Sequence, residues 1–273
     1  KELLSEVGPL QVSPSAYDTA WLARLDTSIG ARAARWLLTH QLPEGGWGAS
    51  GPVYYHDRVI CTLSAVTALL QNGLTPDSAA IKRAKLSLTR NIMGLSVDPS
   101  GATVGFELIV PTLLREAQSL GVSVENKLLE QLVWARSSKL GALPEHRIDR
   151  RFTPSFSSEA VGQDHLNLLD IDHLQAPNGS VAFSPGATAF FVKYVRADRA
   201  ALSYLQQVVD GEGAAPYVGP IEVFDRGWSL WNLSLVPDIA AELENEIRPH
   251  VEVLTAEWQA GQGIASAIGL PLL

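Results

Sequence analysis

Apolar positions recur at helical spacing along most of the chain. Ser15-Ala16-Tyr17-Asp18-Thr19-Ala20-Trp21-Leu22-Ala23 follows Pro14. Serine is a good N-cap, Asp18 suits the first turn, and Tyr17, Trp21 and Leu25 fall on one face. Further helices are predicted over Ala31–His40 and Asp57–Gln71, the latter with Leu63, Val66, Leu69 and Leu70 as its stripe. Gly73 and Pro76 close that helix, and Asp77 is read as the cap of the next, which runs to about Met93. Phe106–Leu120, with Pro111 in its first turns, Glu125–Ser138, Ser157–Leu169 and a helix opening at Phe183-Ser184-Pro185 and reaching Val195 follow. Asp198–Val209, Glu222–Leu235 and Asp238–Gln259 complete the series. No segment alternates with the period of two expected of a half-buried strand, so the fold class is all-α.

Two turns interrupt the helices in matching form. Gln41-Leu42-Pro43-Glu44-Gly45-Gly46-Trp47-Gly48 has glutamine, three residues, glycine, one residue and tryptophan. Gln175-Ala176-Pro177-Asn178-Gly179-Ser180-Val181 repeats it with valine at the tryptophan position. The amide side chain can bind a helix end, glycine permits the turn, and the indole packs across the junction. Repeated turns of this kind predict a helical barrel.

Composition narrows the function. The 273 residues are 46% hydrophobic, enough for a sizeable core. A net charge of −8 argues against nucleic acid and anionic membranes as partners, though not against an anionic small molecule in a local basic pocket. One cysteine, Cys61, excludes an intrachain disulfide and a cysteine-rich metal site. No signal peptide is evident and no apolar run reaches the roughly 18 residues of a membrane span, so no stable membrane insertion and a cytoplasmic location are expected. The chain opens at Lys1, holds its one methionine at Met93, and closes on Gly269-Leu270-Pro271-Leu272-Leu273. These features lead to the expectation that it is part of a longer polypeptide.

The motifs together resemble the class II diterpene cyclases. The matching stretches, in the family's order, are Ser15 to Trp21, the octet at Gln41, Asp57-Arg58 leading into Thr62-Leu63-Ser64-Ala65-Val66, and Gly105-Phe106-Glu107. Asn178-Gly179-Ser180 before Phe183-Ser184-Pro185, and Phe224 to Leu233, continue the match. The look is bacterial, near ent-copalyl and tuberculosinyl diphosphate synthases. The resemblance implies an α/α double-barrel fold: a γ domain over residues 15–210, inserted in a β domain represented by 1–14 and the incomplete segment 211–273. It implies conversion of geranylgeranyl diphosphate to a copalyl-type bicyclic diphosphate, ent-copalyl diphosphate as the first expectation, with Mg2+ as cofactor and the remainder of the β domain as partner. The family's catalytic acid is an Asp-x-Asp-Asp motif, and none occurs here. The 273 residues alone are therefore expected to be inactive. The alternative is a non-catalytic helical module that binds a prenyl diphosphate or a partner domain.

That chemistry needs a strong, dry carboxylic acid to protonate an alkene, aromatic walls around a carbocation, and cations for the diphosphate. The resemblance offers Asp98 as a Mg2+ ligand, against a turn residue at a loop tip. Lys139 is offered as a diphosphate ligand, against a solvated helix-end lysine. Phe156 and Tyr217 stand where plant ent-copalyl synthases carry a histidine–asparagine base pair; neither can act as that base, and they are expected to line the pocket or simply pack. Glu107 is read as structural rather than a ligand. Arg147, Arg150 and Arg151 form a basic loop that is either solvated or turned to the diphosphate. Asp57 is read as an N-cap, His56 as a surface residue, and Asp18 as a capping or inter-helix group.

Overall fold

In a computed structural model, residues 4, 12–97, 101–103, 105–124, 127–236, 238, 242–259 and 263–264 are described. They divide into two compact units, Pro14–Tyr217 and the described residues of Lys1–Ser13 with Val218–Leu273.

The larger unit starts with a two-residue strand, β1 (Pro14–Ser15), that pairs antiparallel with β2 (Ala215–Pro216) at its far end. Between them lie α1 (Ala16–Ala23), α2 (Ser28–Thr39), α3 (Tyr55–Gln71), α4 (Ala79–Gly94), α5 (Phe106–Ser119) and α6 (Lys127–Gly141). Two 3-10 segments follow, Thr153–Val161 and Gln163–Leu168. The unit ends with α7 (Pro185–Phe190), which runs into a π turn over Phe191–Val195, and α8 (Arg199–Val208).

Two helices form its interior. α1 is buried at every position except Tyr17, and α3 is buried continuously from Arg58 to Leu70. A helix apolar on all sides belongs inside a core. α1 packs on α2, α3, α7 and β2, and α3 also packs on α4 and α5. α2, α4 and α8 instead bury one stripe, such as Ile81, Ala84, Leu88 and Ile92 on α4, and turn polar residues outward. The caps follow the sequence: Ser15 accepts from the Asp18 amide, Ser184 from Ala187 and Asp198 from Ala201.

Both turns adopt one geometry. The Gln41 amide donates to the Gly45 carbonyl at 2.8 Å and to Ala80 O at 2.9 Å, while its Oε1 accepts from Arg83. Gln175 donates to Gly179 O at 3.0 Å and to Asp198 at 3.2 Å, and its Oε1 accepts from Arg196. Gly45 and Gly179 both have positive φ, +95° and +86°. A Cβ there would meet backbone atoms of Arg83 or Ala200 under 3 Å away, so both turns require glycine. Trp47 is fully buried, and its indole N–H donates to the Leu37 carbonyl at the end of α2. The Trp47 and Val181 amides each donate to a threonine hydroxyl, Thr62 and Thr188.

Several local expectations need correction. Ser157–Leu169 is not one α-helix but two 3-10 segments broken at Gly162, whose φ is +68°. The N-cap position before α4 is Ser78, not Asp77. Asp57 lies in the first turn of α3 rather than at its cap. His56 is buried, its ring edge-on to Phe106 at 4.8 Å.

The smaller unit has α9 (Glu222–Ser234) against α10 (Glu244–Ala256) and a two-residue ladder, β3 (Trp258–Gln259) with β4 (Gly263–Ile264). Arg226 on α9 donates to His250 Nδ1 on α10 at 2.6 Å, so this imidazole nitrogen acts as the acceptor. Phe224, Trp228, Trp231 and Leu235 form an exposed stripe at helical spacing on and just beyond α9.

Candidate functional site

Lys139 sits in the last turn of α6, and its ammonium pairs with Glu107 at the start of α5 at 2.5 Å. Burial alone would raise the Glu107 pKa; the hydrogen bond from Lys139 and its charge outweigh that and hold the carboxyl below its ordinary value. Lys139 is therefore a cation held at the surface by a carboxylate. Arg147 in the following loop lies 4.3 Å over the Phe152 ring, and Arg150 and Arg151 are exposed beside it. Phe156 is exposed on the first 3-10 segment, and Tyr217 is exposed just after β2. Asp98 lies outside the described residues.

Two polar networks lie deeper, and both hold residues the sequence did not single out. In the first, Arg136 on α6 is 2% exposed. Its guanidinium donates to Thr112 on α5, to the Val161 carbonyl and to Asp164. Arg115 reaches the same Asp164 from α5. Burial acts to raise Asp164, but the two guanidinium groups dominate and hold it well below the carboxylate range.

The second network surrounds α1. Tyr17 donates to Glu159 Oε1 at 2.7 Å, and Glu159 is 2% exposed. Asp18, 4% exposed, accepts from the Gly186 amide in the first turn of α7 at 3.0 Å, the inter-helix role expected of it. Arg24, just past α1, donates to Glu116 at 2.7 Å and to Thr67 at 2.9 Å, and stacks 3.7 Å over the Trp21 ring. Desolvation pushes Asp18 up to about 8, against the hydrogen bonds from Ser15 and Gly186. It pushes Glu159 up to about 7, against its bond to Tyr17 and the charge of Arg24. A raised carboxyl in a core is a group that keeps its proton near neutrality.

No protein-family model matches the sequence. Individual proteins match along nearly all of it. Over 267 residues the chain is 39% identical to the type B diterpene cyclase of Mycobacterium tuberculosis, an alignment covering 93% of this chain and 53% of that protein. Chloroplastic ent-copalyl diphosphate synthase 2 of Zea mays is 30% identical over 94% of this chain and 32% of its own length. The crystal structure of Arabidopsis thaliana ent-copalyl diphosphate synthase, in complex with (S)-15-aza-14,15-dihydrogeranylgeranyl thiolodiphosphate, aligns with a TM-score of 0.81. It is 29% identical and covers 95% of this chain and 38% of that one. The chain is a relative of the diterpene cyclases.

Abietadiene synthase from Abies grandis has the same fold, with a TM-score of 0.83 at 24% identity over 97% of this chain and 36% of that one. The all-α expectation and the α/α-barrel terpene-cyclase fold both hold. The chain spans about half the length of the mycobacterial cyclase and about a third of the maize enzyme. No described helix is long and apolar enough to cross a membrane. As for the metal a diterpene cyclase of this type is expected to use, no three His, Cys, Asp or Glu side chains converge among the described residues to hold one. Glu107, the acid nearest in sequence to Asp98 after it, is engaged by Lys139. The described residues thus supply no magnesium donor set.

Proposed function

We propose that this chain is part of a class II diterpene cyclase acting on geranylgeranyl diphosphate. The reaction is a protonation-initiated cyclisation to a copalyl-type bicyclic diphosphate, ent-copalyl diphosphate first, with the diphosphate retained. The observation that carries this reading is the 39% identity to a diterpene cyclase along 93% of the chain. Residues 15–210 are assigned to the γ domain, and residues 1–14 and 211–273 to the β domain.

Within this reading the chain supplies one side of the pocket. Lys139 would exchange its Glu107 partner for the diphosphate, a substitution of one anion for another that leaves the ammonium paired. Phe156 and Tyr217 offer aromatic faces that a carbocation prefers to water. Asp98 is proposed as a magnesium ligand in the cytoplasmic enzyme. The Phe224–Leu235 stripe is the face we expect the remainder of the β domain to cover.

Because no Asp-x-Asp-Asp motif occurs in these residues, the 273-residue chain should bind without turnover. That same absence favours, as a second reading, a non-catalytic module that binds a prenyl diphosphate or a partner domain. The test is product analysis by mass spectrometry after incubation with geranylgeranyl diphosphate. A polypeptide that continues into an Asp-x-Asp-Asp segment should yield a bicyclic diphosphate, and this chain none. Bicyclic product from the 273 residues would overturn the assignment of the acid. No product from the longer polypeptide would favour the binding module.

A further inference from the structure

The carboxyls of Asp18 and Glu159 form joints between elements far apart in sequence. Glu159 ties the first 3-10 segment to α1 through Tyr17, and Asp18 ties α1 to the first turn of α7 through Gly186. The surroundings offer little to balance two negative charges. Arg24, whose charge acts on Glu159, is itself bound by a third carboxylate, Glu116. Glu159 Oε2 is buried with no hydrogen-bond partner among the described residues. A charged oxygen in that position would face the full cost of desolvation, whereas a protonated carboxyl faces far less.

We propose that Asp18 and Glu159 form a proton-locked latch: while they hold protons the core around α1 carries no unbalanced charge, and losing the protons as pH rises leaves desolvated charges there that destabilise the packing of α1 against the 3-10 segment and α7, although the hydrogen bonds from Tyr17 and Gly186 by themselves favour the ionised carboxyls. The inference concerns the unit Pro14–Tyr217 itself and does not depend on the reaction proposed above.

The other titratable groups around α1 do not remove the need for protons. On α3, Cys61 donates to Asp57, Arg58 pairs with Glu44, and His56 packs on Phe106. On α8, Tyr204 donates to the Phe183 carbonyl. Burial keeps both the Cys61 thiol and the Tyr204 phenol protonated, with Asp57 adding to it at Cys61. α2 turns apolar residues and Gly30 inward, and Lys193 in the π turn after α7 pairs with exposed Asp26. Burial favours the protonated form of both carboxyls and the Glu159 charge adds to it at Asp18, while the hydrogen bonds to both carboxyls and the Arg24 charge on Glu159 oppose it and are outweighed. Both pKa values are accordingly raised.

The sign follows from linkage. A carboxyl whose folded pKa lies above its unfolded value binds more protons when folded, so its contribution is full below the unfolded value and is lost as pH rises through the folded one. Between about pH 5 and 7, unfolding should release up to two protons from this pair, and the unfolding constant should rise by up to about 100-fold per pH unit on their account.

The experiment measures urea unfolding of the full 273-residue chain from pH 5 to 9, with calorimetric proton release at pH 6. It compares the wild type with Asp18→Asn/Glu159→Gln, which keeps acceptor oxygens for Gly186 and Tyr17. The expected result is about one to two more protons released by the wild type, and a flatter pH profile for the double variant. Glu159→Gln alone should show a difference of about one proton, so the test stands if the double variant fails to fold. Equal proton release in wild type and Glu159→Gln, or a wild type more stable at pH 9 than at pH 6 relative to the variant, would overturn the latch.

Discussion

Trp47 is the residue whose loss should be felt most in the first turn. Its side chain is fully buried, its indole N–H caps the Leu37 carbonyl at the end of α2 at 2.8 Å, and its backbone amide donates to Thr62 in the middle of α3. Trp47→Ala removes the whole ring, which costs about 3–5 kcal/mol in a core that cannot collapse around the space. The Leu37 carbonyl, one of the last four of its helix, also loses its donor, at about 1 kcal/mol. The sum, about 4–6 kcal/mol, corresponds to a fall in melting temperature of roughly 10–20 °C for a unit of this size. Trp47→Phe keeps most of the apolar volume and loses the hydrogen bond, so about 1–3 kcal/mol is expected. Trp134 on α6, 76% exposed, is the control, and its alanine variant should lie within about 0.5 kcal/mol of wild type. The assay is thermal and urea unfolding followed by the helical circular-dichroism signal. If Trp47→Ala unfolds with Trp134→Ala, the turn is not anchored by its indole and the reasoning fails.

Three other outcomes are expected. Gly179→Ala should destabilise by more than about 1 kcal/mol, because its φ of +86° and a Cβ 2.5 Å from the Ala200 backbone leave no accommodation; Gly73→Ala, with φ +92° but nothing within 4 Å, should cost less, and urea midpoints decide the order. Asp164 is depressed, so its contribution is present above the unfolded carboxylate value and lost as pH falls below about 4; Arg136→Met should flatten stability between pH 5 and 3, and an unchanged acid limb would refute the pairing. Lys139→Ala should change stability by less than about 1 kcal/mol, since the pair with Glu107 is largely exposed, yet lower kcat/KM roughly tenfold or more in the complete cyclase; equal kinetics would remove Lys139 from the diphosphate site.

The helices were legible where periodicity and a cap coincide. Ser15 before α1, Ser184 before α7 and Asp198 before α8 each mark a start and each accepts the expected amide. The paired turns were legible because glutamine and glycine act within a few residues of one another, through bonds such as Gln41 to Gly45 and Gln175 to Gly179. The 3-10 segments were not, because Ser157-Ser158-Glu159-Ala160-Val161 carries helix formers and the break comes from a later glycine in an extended, positive-φ state. His56 was misplaced because its burial depends on Phe106, fifty positions on. Glu159, Arg24 and Arg136 look like ordinary surface charges in the sequence. Their partners Tyr17, Glu116 and Asp164 are 142, 92 and 28 residues away, and local pattern carries no trace of such pairings. The surface candidates came from resemblance rather than pattern, and geometry adds Glu107 as the partner of Lys139.

β1 and β2 bring the first and last residues of the larger unit side by side, Pro14 opposite Pro216 and Ser15 opposite Ala215. A fold whose ends meet behaves as a cassette: the polypeptide leaves it within a strand's width of where it came in. Such a cassette can be carried within a host sequence, lost or exchanged between proteins with little disturbance to the flanking chain, because only a short gap must be closed afterwards. The ladder that looks least significant among these helices is thus the feature that would make the unit portable.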